Sequence, residues 1–171
     1  MQFKIGDYVV HAQFGIGQVV EIEEKQFAGE AARLFYAVAM ERSTVWVPVT
    51  TDPSANLRSL VTRKQLPDYR NLLRSRPVPL NPDRRQRSLE LTGRLRQGSF
   101  AIHCEVIRDL SALGWPKALS SADNTLLNRA QEAICQEWAK ATGQSILEIS
   151  QEVTALLQEG RRLYYVPAPS G

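Results

Sequence analysis

The chain has 171 residues, of which 43% are apolar and 23% charged, with a net charge of +3; this is the profile of a soluble globular protein holding one ordinary domain or two small ones. No stretch approaches the ~20 apolar residues that span a bilayer, and the amino-terminal residues show no leader pattern, so a cytoplasmic location is expected. Two cysteines, Cys104 and Cys135, and two histidines, His11 and His103, lack zinc-site spacing; no metal or cofactor is expected, and the cysteines read as buried, reduced packing residues.

Residues 3–11 and 14–23 read as two short strands around a glycine-bearing turn. Gly6-Asp7 is a turn dipeptide before a Val-Val strand core, and Gly15 and Gly17 suit positive φ or close backbone approach. This is how a small bent β-barrel of the SH3 or Tudor type begins. Leu34–Met40 is an apolar, β-prone run, and Thr44–Val49 follows after a Glu-Arg-Ser turn. By the period of two, Val45, Val47 and Val49 share one face and Thr44, Trp46 and Pro48 the other. Pro48 cannot donate to a ladder, which marks an edge or a strand end. Trp46 then either faces a partner or packs beneath the following segment.

The barrel is expected to end near Asn56 or Leu60, after an Asp52-Pro53-Ser54 turn. A short helix is expected over Tyr69–Ser75, closed by the two prolines of Arg76-Pro77-Val78-Pro79-Leu80. Residues 76–82 read as a stiff linker between two modules. A helix is expected from Arg84 to Arg96, capped by Asp83, with Leu89, Leu91 and Leu95 inward and Arg84, Arg87 and Arg94 solvated. A third helix spans about Ser99 to Leu113, where Ile102, Val106, Ile107 and Leu110 recur at helical spacing. Gly114-Trp115-Pro116 interrupts it. Ser120 opens a long helix ending at Thr142-Gly143, and Ser145 opens another that ends at Gly160. Residues 161–171 read as a loose tail.

The expected fold is α+β, with an amino-terminal small Tudor/SH3-like β-barrel followed by an all-α bundle. The expected domains are residues 1–66, a short helix and proline-rich linker over 67–82, a helical domain over 83–160 and the tail. The charge is unevenly placed. Residues 67–100 hold eight arginines and three acids, a balance of +5, while the amino-terminal part is neutral and residues 101–171 are acidic. Arginine presents a planar fork suited to phosphate, so this segment points to a polyanion; the bland alternative is a solvated helix face.

No nucleophile elbow, P-loop, dinucleotide fingerprint or zinc-protease motif occurs. His11 and His103 have no nucleophile or metal partner nearby in sequence, so the chain is not expected to be an enzyme.

Taken together, Phe3-Lys4-Ile5-Gly6-Asp7-Tyr8-Val9-Val10, Gly15, the Val45–Pro48 element, Asp83-Arg84-Arg85, Val106-Ile107-Arg108-Asp109-Leu110 and Leu119-Ser120 give a resemblance. Over roughly residues 1–157 the chain resembles the CarD/CdnL family of bacterial transcription regulators; the transcription-repair coupling factor carries a related amino-terminal domain. The resemblance implies that the Tudor-like domain binds the β subunit of RNA polymerase through its strand edge. The helical domain would contact promoter DNA, weakly and largely without sequence preference, at the upstream edge of the bubble, modulating open-complex stability. On that basis Lys25, Val45, Trp46, Val47 and Pro48 are candidates for polymerase binding. Arg84, Arg85, Arg87, Arg108, Trp115 and Lys117 are candidates for DNA binding. A monomer is expected, with no membrane or small-molecule partner, associated with the nucleoid through RNA polymerase. Two departures stand out. Trp46 takes the place of an arginine found in some members, and Ser111 occupies the position where the family's wedge tryptophan follows Arg-Asp-Leu. Trp115, four residues on, either replaces that wedge or caps the bundle on Leu110, Leu113 or Leu119. The alternative function is a polymerase- or protein-docking adaptor with little DNA contact.

Overall fold

The computed structural model describes residues 2–52 and 56–169; the Pro53-Ser54 part of the expected turn lies outside them. The chain divides into two compact units, residues 1–60 and residues 61–171.

The first unit is a five-stranded antiparallel sheet. Its strands are β1 (Tyr8–His11), β2 (Gly15–Lys25), β3 (Arg33–Ala39), β4 (Thr44–Pro48) and β5 (Leu57–Ser59), in the spatial order β4-β3-β2-β1-β5. The strand order fits the expected Tudor-like domain, but the sheet is not closed: its ladder ends at β4 on one side and β5 on the other. A core of Phe3, Val9, Val19, Tyr36, Val38, Val47 and Leu57 lies on one face, with Val45 and Val49 packed against it. The valine alternation in β4 is therefore inward, as its sequence period required.

Two glycines set the entry to the sheet. Gly6 has φ 97° and donates its N–H to the Val19 carbonyl at 2.7 Å, while the Asp7 carboxylate accepts from Lys4 N–H. Gly17 has no such φ; it is glycine for space. A Cβ there would meet Val38 Cγ1 at 2.6 Å and the Ala39 carbonyl at 2.9 Å. The register shifts between Val19 and Glu21, a bulge that bends β2 and raises its twist.

The second unit holds five helices: α1 (Leu66–Leu73), α2 (Arg84–Leu95), α3 (Phe100–Leu113), α4 (Ser121–Thr142) and α5 (Ile146–Tyr164). Side-chain caps start four of them. Asp83, Ser99, Ser120 and Ser145 accept from the backbone N–H groups of Gln86, Ile102, Asp123 and Glu148, each cap contributing ~1 kcal/mol. Gly143 ends α4 with φ 78°. One core joins α1, α3, α4 and α5 around Leu73, Phe100, Ile107, Ile134, Trp138 and Ile149. A second seats α2 through Leu91 on Val106, Leu110 and Leu126. Among the described residues no helix is long and apolar enough to cross a membrane.

Three sequence expectations change here. Residues 67–82 are not a helix and linker standing between modules: α1 packs into the helical core through Leu66 and Leu73, and the proline-rich stretch joins two helices of the same unit. In α2 the inward stripe is Arg87, Leu91 and Leu95, whereas Leu89 is exposed. Gly160 does not end α5, which continues to Tyr164; it is buried, and a Cβ there would lie 3.3 Å from the Arg74 carbonyl.

Candidate functional site

In the first unit β4 is one of the two edge strands. Val49 N–H donates to the Leu34 carbonyl, and Val47 faces Tyr36 in the same ladder. Backbone direction alternates along an antiparallel strand, so Val45, Val47 and Val49 turn their polar groups toward β3. The N–H and C=O of Thr44 and Trp46, and the C=O of Pro48, point away from the sheet. Pro48 contributes no N–H, which leaves the edge one donor short.

The Trp46 side chain lies on the sheet face opposite the core and is half-buried. It packs with a neighbour two strands away: Lys25 Nζ sits 3.7 Å from the centre of the indole ring. Such an ion-on-ring contact is worth ~0.5–1 kcal/mol at an exposed site. Glu23 pairs with the same ammonium at 3.2 Å. On this face Phe27, itself half-exposed, meets Phe35 edge-on with ring centres 5.4 Å apart. The structure thus brings Lys25, Trp46 and Pro48 to one outer surface beside the open edge. Val45 and Val47 face the core and contribute backbone position only. Phe27 had no sequence signal, because a lone aromatic in a polar loop has no period to declare its face.

His11 is a structural residue. Its Nδ1 accepts from the N–H groups of Gln13 and Phe14, at 3.1 and 3.2 Å, which places the ring proton on Nε2. Burial pushes its pKa below the ordinary 6.5. The ring needs to stay neutral to keep both bonds.

In the second unit, two of the expected DNA contacts are internal, and both expectations are corrected. Arg87 is 5% exposed. Its Nε and Nη2 donate to the two Asp123 carboxylate oxygens at 3.1 and 2.7 Å, and its Nη1 donates to the Asn81 and Pro82 carbonyls. Asp123 also accepts from the Ser120 hydroxyl. The Arg87 hydrogen bonds hold the Asp123 carboxyl below its usual range and raise the guanidinium in return. Arg108 is likewise buried. It donates Nε to Asp109 at 2.8 Å and Nη1 to the Ser75 hydroxyl at 3.0 Å, while Asp109 accepts from Val78 N–H. Both arginines therefore pin residues 75–82 as a strap against α2 and α3. A fork with five donors suits such a buried crossing, and an exposed phosphate contact is not available to either side chain.

The remaining positive charge is selective. Arg70, Arg74 and Arg94 are paired with Glu152, Glu159 and Glu105. Arg84, Arg85 and Arg96 are exposed and form no ion pair among the described residues. Arg84 and Arg85 open α2, where the helix dipole disfavours cations by ~0.3–1 kcal/mol each, and no acid lies in that first turn. Local helix stability does not account for them. The Arg87–Asp123 clasp brings the start of α2 to the start of α4, and Lys117, in the turn before α4, is exposed as Arg84 and Arg85 are.

Trp115 is half-buried and belongs to none of the hydrophobic clusters. It does not cap the core on Leu110. Its ring contacts Tyr165, with centres 5.7 Å apart. It also lines a cleft of about 470 Å³ with Arg76, Val78, Leu80, Leu113 and Tyr164. Trp138, by contrast, is fully buried, and its indole N–H has no hydrogen-bond partner among the described residues. Cys104 and Cys135 are free and buried, and burial raises both thiol pKa values. Among the described residues no group of His, Cys, Asp and Glu could hold a metal ion.

Comparison with known proteins follows the same division. Residues 3–61 match the CarD-like/TRCF RID domain, and residues 69–154 match the CarD C-terminal domain. The chain is 28% identical over 137 residues to "Putative transcription factor YdeB" of Bacillus subtilis (strain 168), a similarity covering 79% of this chain and 89% of that protein. With one match on the sheet and the next on the helices, in the order in which the family joins them, the chain belongs to the CarD/CdnL family of transcription regulators, with an RNA polymerase-interacting domain at its amino-terminal end.

Proposed function

We propose that the first unit binds the β subunit of RNA polymerase by adding a strand at β4, and that the second unit contacts promoter DNA at the upstream edge of the bubble to modulate open-complex stability. The observation that carries this reading is the unpaired edge of β4, with the Trp46 backbone groups aimed outward and its indole beside them. Strand addition draws affinity from main-chain hydrogen bonds and specificity from flanking side chains. It therefore tolerates tryptophan where some relatives have arginine. DNA contact then falls to Arg84, Arg85 and Lys117, with Trp115 as the apolar element. The protein acts by binding and needs no chemistry of its own.

A second reading has a specific observation behind it. Arg87 and Arg108 are occupied inside the fold, which leaves fewer cations for DNA. A polymerase-docking adaptor with little DNA contact fits that smaller set.

One experiment separates them. The full chain is titrated against polymerase β and against forked promoter DNA over a salt series. Trp46→Ala should weaken polymerase binding by on the order of 2 kcal/mol. The log–log salt slope for DNA should flatten by about 2 units in Arg84→Ala/Arg85→Ala, near 0.9 per phosphate contact. An unchanged polymerase affinity removes β4 from the interface, and an unchanged slope gives the adaptor reading the lead.

A further inference from the structure

The end of α5 carries a set of side chains that neither the sequence motifs nor the matched domains assign: the CarD C-terminal domain match stops at residue 154. There Arg161, Arg162, Tyr164 and Tyr165 follow one another. The Arg161 guanidinium lies 5.3 Å from the Tyr165 ring centre, and the Arg76 guanidinium lies 4.8 Å from that of Tyr164. Tyr165 in turn meets Trp115. Trp115, Tyr164 and Arg76 thus line one cleft, and Tyr165 with Arg161 adjoins it through Trp115.

The charge is as uneven as the geometry. Arg76, Arg161 and Arg162 form no ion pair among the described residues. The carboxylate lining the cleft, Asp109, is already engaged by Arg108 and by Val78 N–H. Glu159, one turn back on α5, is paired with Arg74. The cleft wall is otherwise apolar, with Val78, Leu80 and Leu113. One unpaired guanidinium, Arg76, lines this apolar cleft, with Arg161 against Tyr165 beside it.

We infer that this platform of Trp115, Tyr164, Tyr165, Arg76 and Arg161 binds single-stranded nucleic acid, with unpaired bases stacked on the rings and phosphates held by the arginines. Aromatic faces interleaved with arginine are what a single strand requires, since every base has a π-face and every link a charge. A duplex offers its phosphates but not its base faces, so the platform discriminates by strandedness and not by sequence. The inference extends the DNA-contacting part of the proposed function, supplying a surface for the strand that melting releases.

The test uses the full chain and fluorescently labelled oligo-dT, with a matched duplex and an abasic strand of the same length as comparisons. Oligo-dT should bind more tightly than the abasic strand and quench tryptophan emission. Tyr165→Ala should lower oligo-dT affinity by roughly 5- to 150-fold, the range of one base–aromatic stack, and Tyr165→Phe should restore it. Arg76→Gln/Arg161→Gln should flatten the oligo-dT salt slope by about 1.4 units, near 0.7 per phosphate for a single strand. Equal binding of the abasic strand, or full affinity in Tyr165→Ala, would overturn the platform. So would competition by a polyglutamate peptide as effective as oligo-dT, which would leave charge alone. Arg84→Ala/Arg85→Ala tests duplex contact separately: loss of duplex binding with oligo-dT binding intact leaves the platform standing, and the reverse pattern removes only the platform.

Discussion

Replacing Arg87 by alanine asks whether this arginine serves the fold or the DNA. In the fold it answers four acceptors: both Asp123 oxygens and the carbonyls of Asn81 and Pro82. Alanine leaves a carboxylate 3% exposed without its main partner, with the Ser120 hydroxyl as partial compensation. Removing one partner of a buried pair costs ~3–5 kcal/mol. For a helical unit of this size that is a fall in melting temperature on the order of 10–25 °C. Circular dichroism of the full chain, followed with temperature, measures it directly. Arg84→Ala and Arg85→Ala, from the exposed start of the same helix, should stay within about 0.5 kcal/mol of the wild type. The pair also carries a pH dependence. Asp123 is held below its unfolded pKa of 3.8, so its contribution is present above that value and is lost as pH falls through the lower folded-state value. The difference between wild type and Arg87→Ala should therefore shrink in acid. Arg87→Met/Asp123→Leu should recover most of the loss, because neither member is then left unpaired. A wild-type melting temperature for Arg87→Ala, together with weakened DNA binding, would refute the structural role.

Trp115→Ala should cost about 2 kcal/mol, below the ~3–5 kcal/mol of a core tryptophan such as Trp138, because part of its surface is already in water; parallel urea titrations of the two variants compare them. His11 is held neutral by burial, so the unfolded chain takes up a proton near pH 6.5 that the folded chain refuses. Its contribution is complete above that pH and declines as pH falls toward the lower folded-state value; urea titrations of wild type and His11→Gln across about pH 5–7.5 should converge at the acid end. Gly17→Ala should destabilise the first unit by ~1–3 kcal/mol through overpacking on Val38 and Met40. Gly93→Ala, inside α2 with nothing within 4 Å of the new Cβ, should stabilise the second by ~0.5–1 kcal/mol; calorimetry of both gives opposite signs.

The elements were largely legible because their signals are local. Period two placed Val45 and Val47 inward, and Asp83, Ser120 and Ser145 marked the capped starts of three helices. What failed was whatever depended on a distant partner. Arg87 occupies an apolar-stripe position of α2, yet nothing in its neighbourhood in sequence announces Asp123, thirty-six residues on. Local pattern alone therefore sends this charged residue to solvent and draws Leu89 inward in its place. Gly160 reads locally as a helix stop because glycine signals both termination and close approach. Only the Arg74 carbonyl against it distinguishes the two. Of the candidate residues, Arg84 and Arg85 are exposed as their local context indicates, whereas Trp46 and Lys25 are half-buried against each other, and Tyr164, Tyr165 and Phe27 carry no pattern of their own.

The strap over residues 75–82 is gripped mostly by its main chain. Asp109 takes the N–H of Val78, and Arg87 takes the carbonyls of Asn81 and Pro82. Peptide groups are the same whatever side chain they carry, so the burden of specifying this stretch rests on the helices that hold it. Its exposed positions are free to drift. Val78, 57% exposed, should accept almost any residue with an N–H and reject proline alone. The lining of the cleft can then be rewritten along one wall without loosening the fold, which makes the strap the cheapest place in this protein for natural variation, or a protein engineer, to alter what the helical unit binds.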